Sequence, residues 1–231
     1  MSWTCQLFGG KMKFFIVQCI LVSMFVFSMA GCSAKDNEFV ALFDGSTLDG
    51  WYADGGDIAT WKANDGILSC VGGGGGWLAT KKIYSDYILE LDWKIPAEGN
   101  SGVGLRFPAA SYVSRVGMEI QILDDDAAKH RDIKPAQHTG SIYLQAAAKQ
   151  GVANPPGQWN SFRITCDGPL VVIELNGTEI TRANMDECTE GQEGLTPLAE
   201  RPRKGHIAVQ NHQTGVDFRN IRIKVLGGGG K

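Results

Sequence analysis

The chain has 231 residues, 43% hydrophobic and 20% charged, with 30 glycines and a formal net charge of −3. So even a balance, with Lys and Arg scattered rather than clustered, excludes a nucleic-acid surface. Setting a targeting segment aside leaves about 200 residues, enough for one domain with a large core.

Lys11 and Lys13 precede an apolar run from Phe14 to Met29, interrupted by Gln18 and Cys19. The run is short for a membrane span and reads as a signal peptide over residues 1–31. Its end, Met29-Ala30-Gly31-Cys32, is similar to the lipobox of bacterial lipoproteins, with Met where Leu is usual. That resemblance implies a lipid-anchored lipoprotein carrying its lipid on Cys32; an ordinary signal peptide cut near Ala30 is the alternative. Ser33 favours attachment to the outer membrane, facing the periplasm or the cell surface, and residues 32–38 form a polar tether. Of six cysteines, Cys5 and Cys19 fall in the signal and Cys32 would carry lipid. Cys70, Cys166 and Cys188 allow one bridge in an oxidising compartment but match no metal spacing, so at least one is expected to be a buried thiol.

From Phe39 onward, strand patterns recur with turn punctuation and no long helical period. They predict strands over 39–43, 58–63, 67–71, 76–80, 86–95, 101–107, 117–123, 141–145, 159–166, 170–175, 178–182, 205–211 and 216–226. The clearest is Tyr87-Ile-Leu-Glu-Leu-Asp-Trp-Lys-Ile95, which alternates apolar and polar throughout. Asn176-Gly177 and Asp65-Gly66 are two-residue hairpin signals, since a type I′ turn needs positive φ twice. Stretches 124–140, 146–157 and 183–204 read as loops with an occasional helical turn, and 227–231 as a disordered tail. A dozen short strands predict an all-β fold, a two-sheet sandwich or jelly roll in a single domain over 39–226. Trp51, Trp61 and Trp93 are assigned to the core.

The glycine run 72–76 before Trp77 lacks the strand-to-helix setting of a phosphate loop. It is either a plain turn or a lip that lets Trp77 cover a ligand. Two stretches are more informative. Successive side chains of a strand face opposite ways. In 100–107, Val103, Leu105 and Phe107 point to the core, while Gly102, Gly104 and Arg106 face outward. In 117–124, Met118, Ile120 and Ile122 point inward, and Glu119 and Gln121 outward. If the strands are neighbours, a cation, a carboxylate and a carboxamide share a face kept open by glycines. Arg106 and Glu119 could equally be a structural ion pair.

Further stretches are Leu42-Phe-Asp-Gly-Ser-Thr-Leu-Asp-Gly-Trp51, Gly76-Trp-Leu-Ala-Thr80, Thr139-Gly-Ser-Ile-Tyr143 and Trp159-Asn160. Leu175-Asn-Gly177, Gly205-His-Ile-Ala-Val-Gln210 and Phe218-Arg-Asn-Ile221 follow in order. Together with 100–106 and 119–124, this ordered set resembles the 3-keto-disaccharide hydrolase family from about residue 39 to 226. The resemblance implies a concanavalin A-like jelly roll with two antiparallel sheets, one of which binds sugar. It further implies action on glycosides already oxidised at C3, supplied by a sugar 3-dehydrogenase.

A ketone at C3 acidifies the C2 proton, so cleavage asks for a base, a stabiliser of the enolate and a proton for the leaving group. Glu119 is the expected base, Arg106 the stabiliser and His212, sharing strand parity with Gln210 and His206, the acid. Gln121, Gln210 and Asn100 would bind substrate, Trp77 and Tyr143 would stack on sugar rings, and Asp124 would orient a hydroxyl or hold a cation. The run Asp124-Asp125-Asp126 has the composition of a Ca²⁺ or Mg²⁺ site without EF-hand spacing, and a solvated turn is preferred. No other cofactor is expected. A laminarinase-type glycosidase needs two carboxyls at alternate positions of one strand, and here those positions hold Glu119 and Gln121, which disfavours it. A non-catalytic carbohydrate-binding module needs only aromatics and amides, and it remains open at this stage.

Overall fold

The structure is a computed structural model describing residues 38–109 and 112–227. The expected signal peptide, most of the tether with Cys32, and residues 228–231 of the expected tail lie outside the described residues. Among the described residues, thirteen strands form two antiparallel sheets. In chain order they are β1 (Val40–Ala41), β2 (Trp51–Asp54), β3 (Trp61–Asn64), β4 (Ile67–Cys70), β5 (Gly76–Thr80), β6 (Tyr87–Lys94) and β7 (Asn100–Phe107). The rest are β8 (Met118–Leu123), β9 (Asn160–Asp167), β10 (Leu170–Leu175), β11 (Thr178–Asn184), β12 (His206–Asn211) and β13 (Val216–Val225). One four-residue helix, α1 (Val113–Val116), bridges β7 and β8.

The larger sheet runs β11-β10-β9-β6-β13-β4-β3, with β1 also on β13; the smaller runs β2-β5-β12-β7-β8. Their inner faces meet in one core that includes Trp51, Trp61, Trp93, Tyr87, Phe162 and Phe218. The alternation that makes β6 legible is the alternation of its burial: every odd residue from Tyr87 to Trp93 is buried and every even one half-buried. Both hairpin dipeptides turn as their chemistry requires, with φ of 49° and 79° at Asp65-Gly66 and 50° and 80° at Asn176-Gly177. The expected jelly-roll sandwich is therefore present.

Three expectations change. Strand β2 was not anticipated, and 58–63 divides into a 3-10 turn at Ile58–Thr60 and β3. Residues 141–145 do not form a strand of their own. They follow the free edge of β8 instead, with Gln121 N–H donating to Ser141 O at 3.1 Å and Tyr143 N–H to Glu119 O at 2.8 Å. This contact covers an edge that would otherwise expose unpaired backbone groups. Cys70, Cys166 and Cys188 are all free thiols.

The third change alters the site. Leu105 pairs with Ile207 and Phe107 with His206, so Arg106 is an extra residue on β7. It has φ of +51°. Such a bulge shifts the facing of every later side chain by one. Gly205 lies against it so closely that a Cβ there would come 2.4 Å from Arg106 C. Phe107 consequently joins Ala79, Val113 and Ala208 on the outer face, and Arg106 turns into the interior.

Candidate functional site

The outer face of the smaller sheet is built in registered rows. Tyr52, Ala79, Ala208, Gly104 and Glu119 pair in sequence across all five strands. Beside them, Asp54 pairs with Trp77 and Trp77 with Gln210, and Gly102 pairs with Gln121. Small residues in the middle of this face let its polar residues lie low. A Cβ on Gly102 would fall 2.8 Å from Glu119 Oε1, and one on Gly104 would fall 2.8 Å from Val113 Cγ1 and 3.2 Å from the Trp77 ring. Glu119 is thus tucked over Gly102, next to an apolar cover made by Trp77 and Val113.

Glu119 is 6% exposed. Gln210 Nε2 donates to its Oε1 at 3.0 Å. Burial opposes ionisation and raises its pKa to about 7, with the Gln210 hydrogen bond pulling weakly the other way. Gln121 Nε2 donates to Asn100 Oδ1 at 3.0 Å. Tyr143 pairs by its backbone beside Glu119, and its hydroxyl accepts from Gln137 Nε2 at 3.0 Å. Strand parity anticipates the outward facing of Glu119 and Gln121, and together with Gln210, Asn100 and Trp77 they are brought to one face, edged by the backbone of Tyr143.

Arg106 is not. Its guanidinium is fully buried between the sheets, where Nε donates to Ser85 O and Nη1 to Gly168 O, each at 2.8 Å. Nη2 pairs with Asp86 Oδ1 at 2.9 Å. The expected Arg106–Glu119 pairing does not exist, because parity counted along the sequence fails at the bulge. His212 is exposed beyond the last residue of β12, where the strand has released the chain. His206 turns Nδ1 to Thr80 O at 2.6 Å and packs on the rings of Tyr52 and Phe107. Asp124 is a loop pin: its Oδ2 accepts from Glu98 N–H at 2.7 Å and its carbonyl faces His130 Nδ1 at 2.7 Å. Asp125 in turn faces His138 Nδ1 at 3.0 Å. Among the described residues no group of three or more His, Cys, Asp or Glu could hold a metal ion.

Sequence reading missed Asp54, Tyr112, Val113 and Ser114, which with Trp77 and Gln210 line a cavity of about 670 Å³. Asp54 was within reach, since a buried Trp51 places Tyr52 and Asp54 on the opposite side of a short strand. Tyr112 carried no signal, because it lies in the irregular link between β7 and β8.

The spacing of rows can be tested directly. Gly102→Ala should push the Glu119 carboxylate off Gln210 by the size of a methyl group and lower kcat/KM about 100-fold with little change in folding. An alanine variant with full activity would mean that this carboxylate need not sit where it does.

A jelly roll presenting a single buried carboxyl, amides and aromatic rings on one face is a carbohydrate-active β-sandwich. The chain belongs to the 3-keto-alpha-glucoside-1,2-lyase-like domain family, whose model matches residues 38–224. It is similar to the 3-keto-disaccharide hydrolase of Bacteroides thetaiotaomicron, 26% identical over 229 positions that cover 81% of this chain and 78% of that one. Among solved structures it is similar to two Parabacteroides distasonis proteins provisionally described as glycosyl hydrolases. One is 32% identical with a TM-score of 0.75, covering 82% of this chain and all of the other. The second is 27% identical with a TM-score of 0.70, covering 82% and 94%.

Proposed function

We propose that this chain is a hydrolase that cleaves the glycosidic bond of 3-keto-glycosides or 3-keto-disaccharides, with Glu119 as the base. The observation that carries the reading is one desolvated carboxyl on an amide-lined face, with its pKa raised to about 7. A base so poised suits proton abstraction near neutral pH.

Glu119 takes the proton from C2, the electron pair becomes a C1–C2 double bond conjugated with the ketone, and the C1 substituent departs with the C1–O bonding pair. Because C1 and C2 are adjacent, the same carboxyl can pass its new proton to the departing oxygen. Water then adds back across the double bond, so the sum is hydrolysis and no electrons are gained or lost. With Arg106 in the interior, charge on the C3 oxygen is met by neutral donors, the amides of Asn100, Gln121 and Gln210. The usual pair of carboxylates is not served by this face. Asp54, the other carboxylate of these rows, stands four strands from Glu119, about 19 Å along the sheet, against about 5–10 Å for glycosidases that use two.

From the Met29-Ala30-Gly31-Cys32 sequence we also propose a lipid-anchored place in the bacterial cell envelope, where a sugar 3-dehydrogenase would supply substrate. The test is to incubate the protein with 3-keto-trehalose, trehalose and laminarin and measure sugar release. Release from the keto-sugar alone is expected, with kcat/KM rising toward a plateau above pH 7 as Glu119 loses its proton. Inertness toward the keto-sugar, or turnover of laminarin, would overturn the proposal.

A further inference from the structure

We infer that the cavity framed by Trp77 and Tyr112 binds the leaving sugar, the unoxidised half of a disaccharide, and so sets the preference for a disaccharide over a simpler glycoside. This inference rests on Glu119 being the base. The cavity, about 670 Å³, falls in the range of small-molecule sites and is joined to Glu119 through one side chain. Gln210 lines it while Nε2 holds Glu119, and its Oε1 is buried with no hydrogen-bond partner among the described residues. One amide therefore both lines the cavity and holds the base, so a sugar bound there lies next to the side chain that positions Glu119.

The walls point to the same ligand chemistry. Trp77 lies over Gly104, and Tyr112 is 78% exposed with the Arg115 guanidinium 5.5 Å from its ring centre. An exposed ring at the edge of a cavity offers a ligand a flat apolar surface to stack on. Hexose rings present C–H faces to aromatic rings and hydroxyls to acceptors, and here acceptors stand at both ends, Asp54 and Gln210. These two are separated by two strand spacings, about 10 Å. A ring over Trp77 with its glycosidic oxygen toward Gln210 would leave the oxidised ring above Gly102 and Glu119.

The frame is fixed before anything binds. Two glycine pairs bring the rim loops into backbone contact: a Cβ on Gly56 would lie 2.3 Å from Gly75 O, and one on Gly76 2.6 Å from Gly55 O. On the other side, the buried Arg201 donates through Nη1 to Ser114 O at 3.0 Å and Gly117 O at 2.6 Å, tying down α1. A preformed wall lowers the ordering cost of binding.

The experiment compares kcat/KM on 3-keto-trehalose and on methyl 3-keto-α-glucopyranoside for the wild type and Tyr112→Ala. The ratio in favour of the disaccharide should fall about tenfold, the scale of one aromatic contact. An unchanged ratio, including equal losses on both substrates, overturns the inference. If the wild type turns over neither compound, the catalytic reading fails separately. Calorimetric titration with unoxidised trehalose and methyl glucoside then decides the subsite: weaker trehalose binding in Tyr112→Ala upholds it, and identical binding overturns it.

Discussion

Glu119→Gln should lower turnover of a 3-keto-disaccharide about 1000-fold, the scale of a lost general base, while making the folded protein more stable at pH 8. The second half follows from linkage. Burial lifts this carboxyl from 4.5 to about 7, so between those values the folded chain binds more protons than the unfolded one. Stability from this group therefore falls as pH rises through that window, and above pH 7 the whole cost of the buried charge is present, about 3 kcal/mol. An amide cannot ionise and does not bear that cost. Denaturant unfolding at pH 4 and pH 8 is the measurement: the two proteins should differ little at pH 4 and most at pH 8. Equal stability at both values would show that Glu119 is ordinarily solvated, and retained turnover would remove it as base. A residue that weakens the fold in return for activity is what an active site is expected to hold.

The opposite pattern is expected at Arg106. Replacing it by Ala leaves Asp86 and the carbonyls of Ser85 and Gly168 without the guanidinium that serves all three. Breaking a buried pair in this way costs about 3–5 kcal/mol, which lowers Tm by about 10 °C in a domain of this size. Below the transition, kcat on the keto-sugar should change little, because the side chain does not reach the outer face. A variant with normal melting and greatly reduced kcat would put Arg106 back among the groups that meet substrate.

These two residues mark where the sequence could be read and where it could not. Glu119 is legible because β8 alternates without interruption from Met118 to Ile122, and simple parity holds wherever pairing is regular. Gln121 and Gln210 are legible for the same reason, whereas Trp77 is marked by the glycine run before it. Arg106 was misread because its bulge depends on the register of β12, about a hundred residues away, and on Gly205 admitting close backbone approach. His212 was misread because parity says nothing about where a strand ends. The sandwich itself rested on features that are local: the β6 alternation, two Asn/Asp-Gly turns and frequent breaks. Strand β2 escaped notice because four residues between glycines are too few to show a period. The cavity wall at Tyr112 escaped because a single helical turn between strands has no pattern to read.

The bulge at Arg106 also sets where the chain can change length. Strand β7 serves two clients, with glycines clearing the outer face before Arg106 and Phe107 capping that face after it. Flattening the bulge without removing a residue would send Phe107 into the space between the sheets and turn the guanidinium outward, and deleting Arg106 would remove the guanidinium that holds Ser85, Asp86 and Gly168. Length differences among relatives should therefore collect in the links that follow Phe107, while the segment from Gly102 to Phe107 keeps a fixed count of residues.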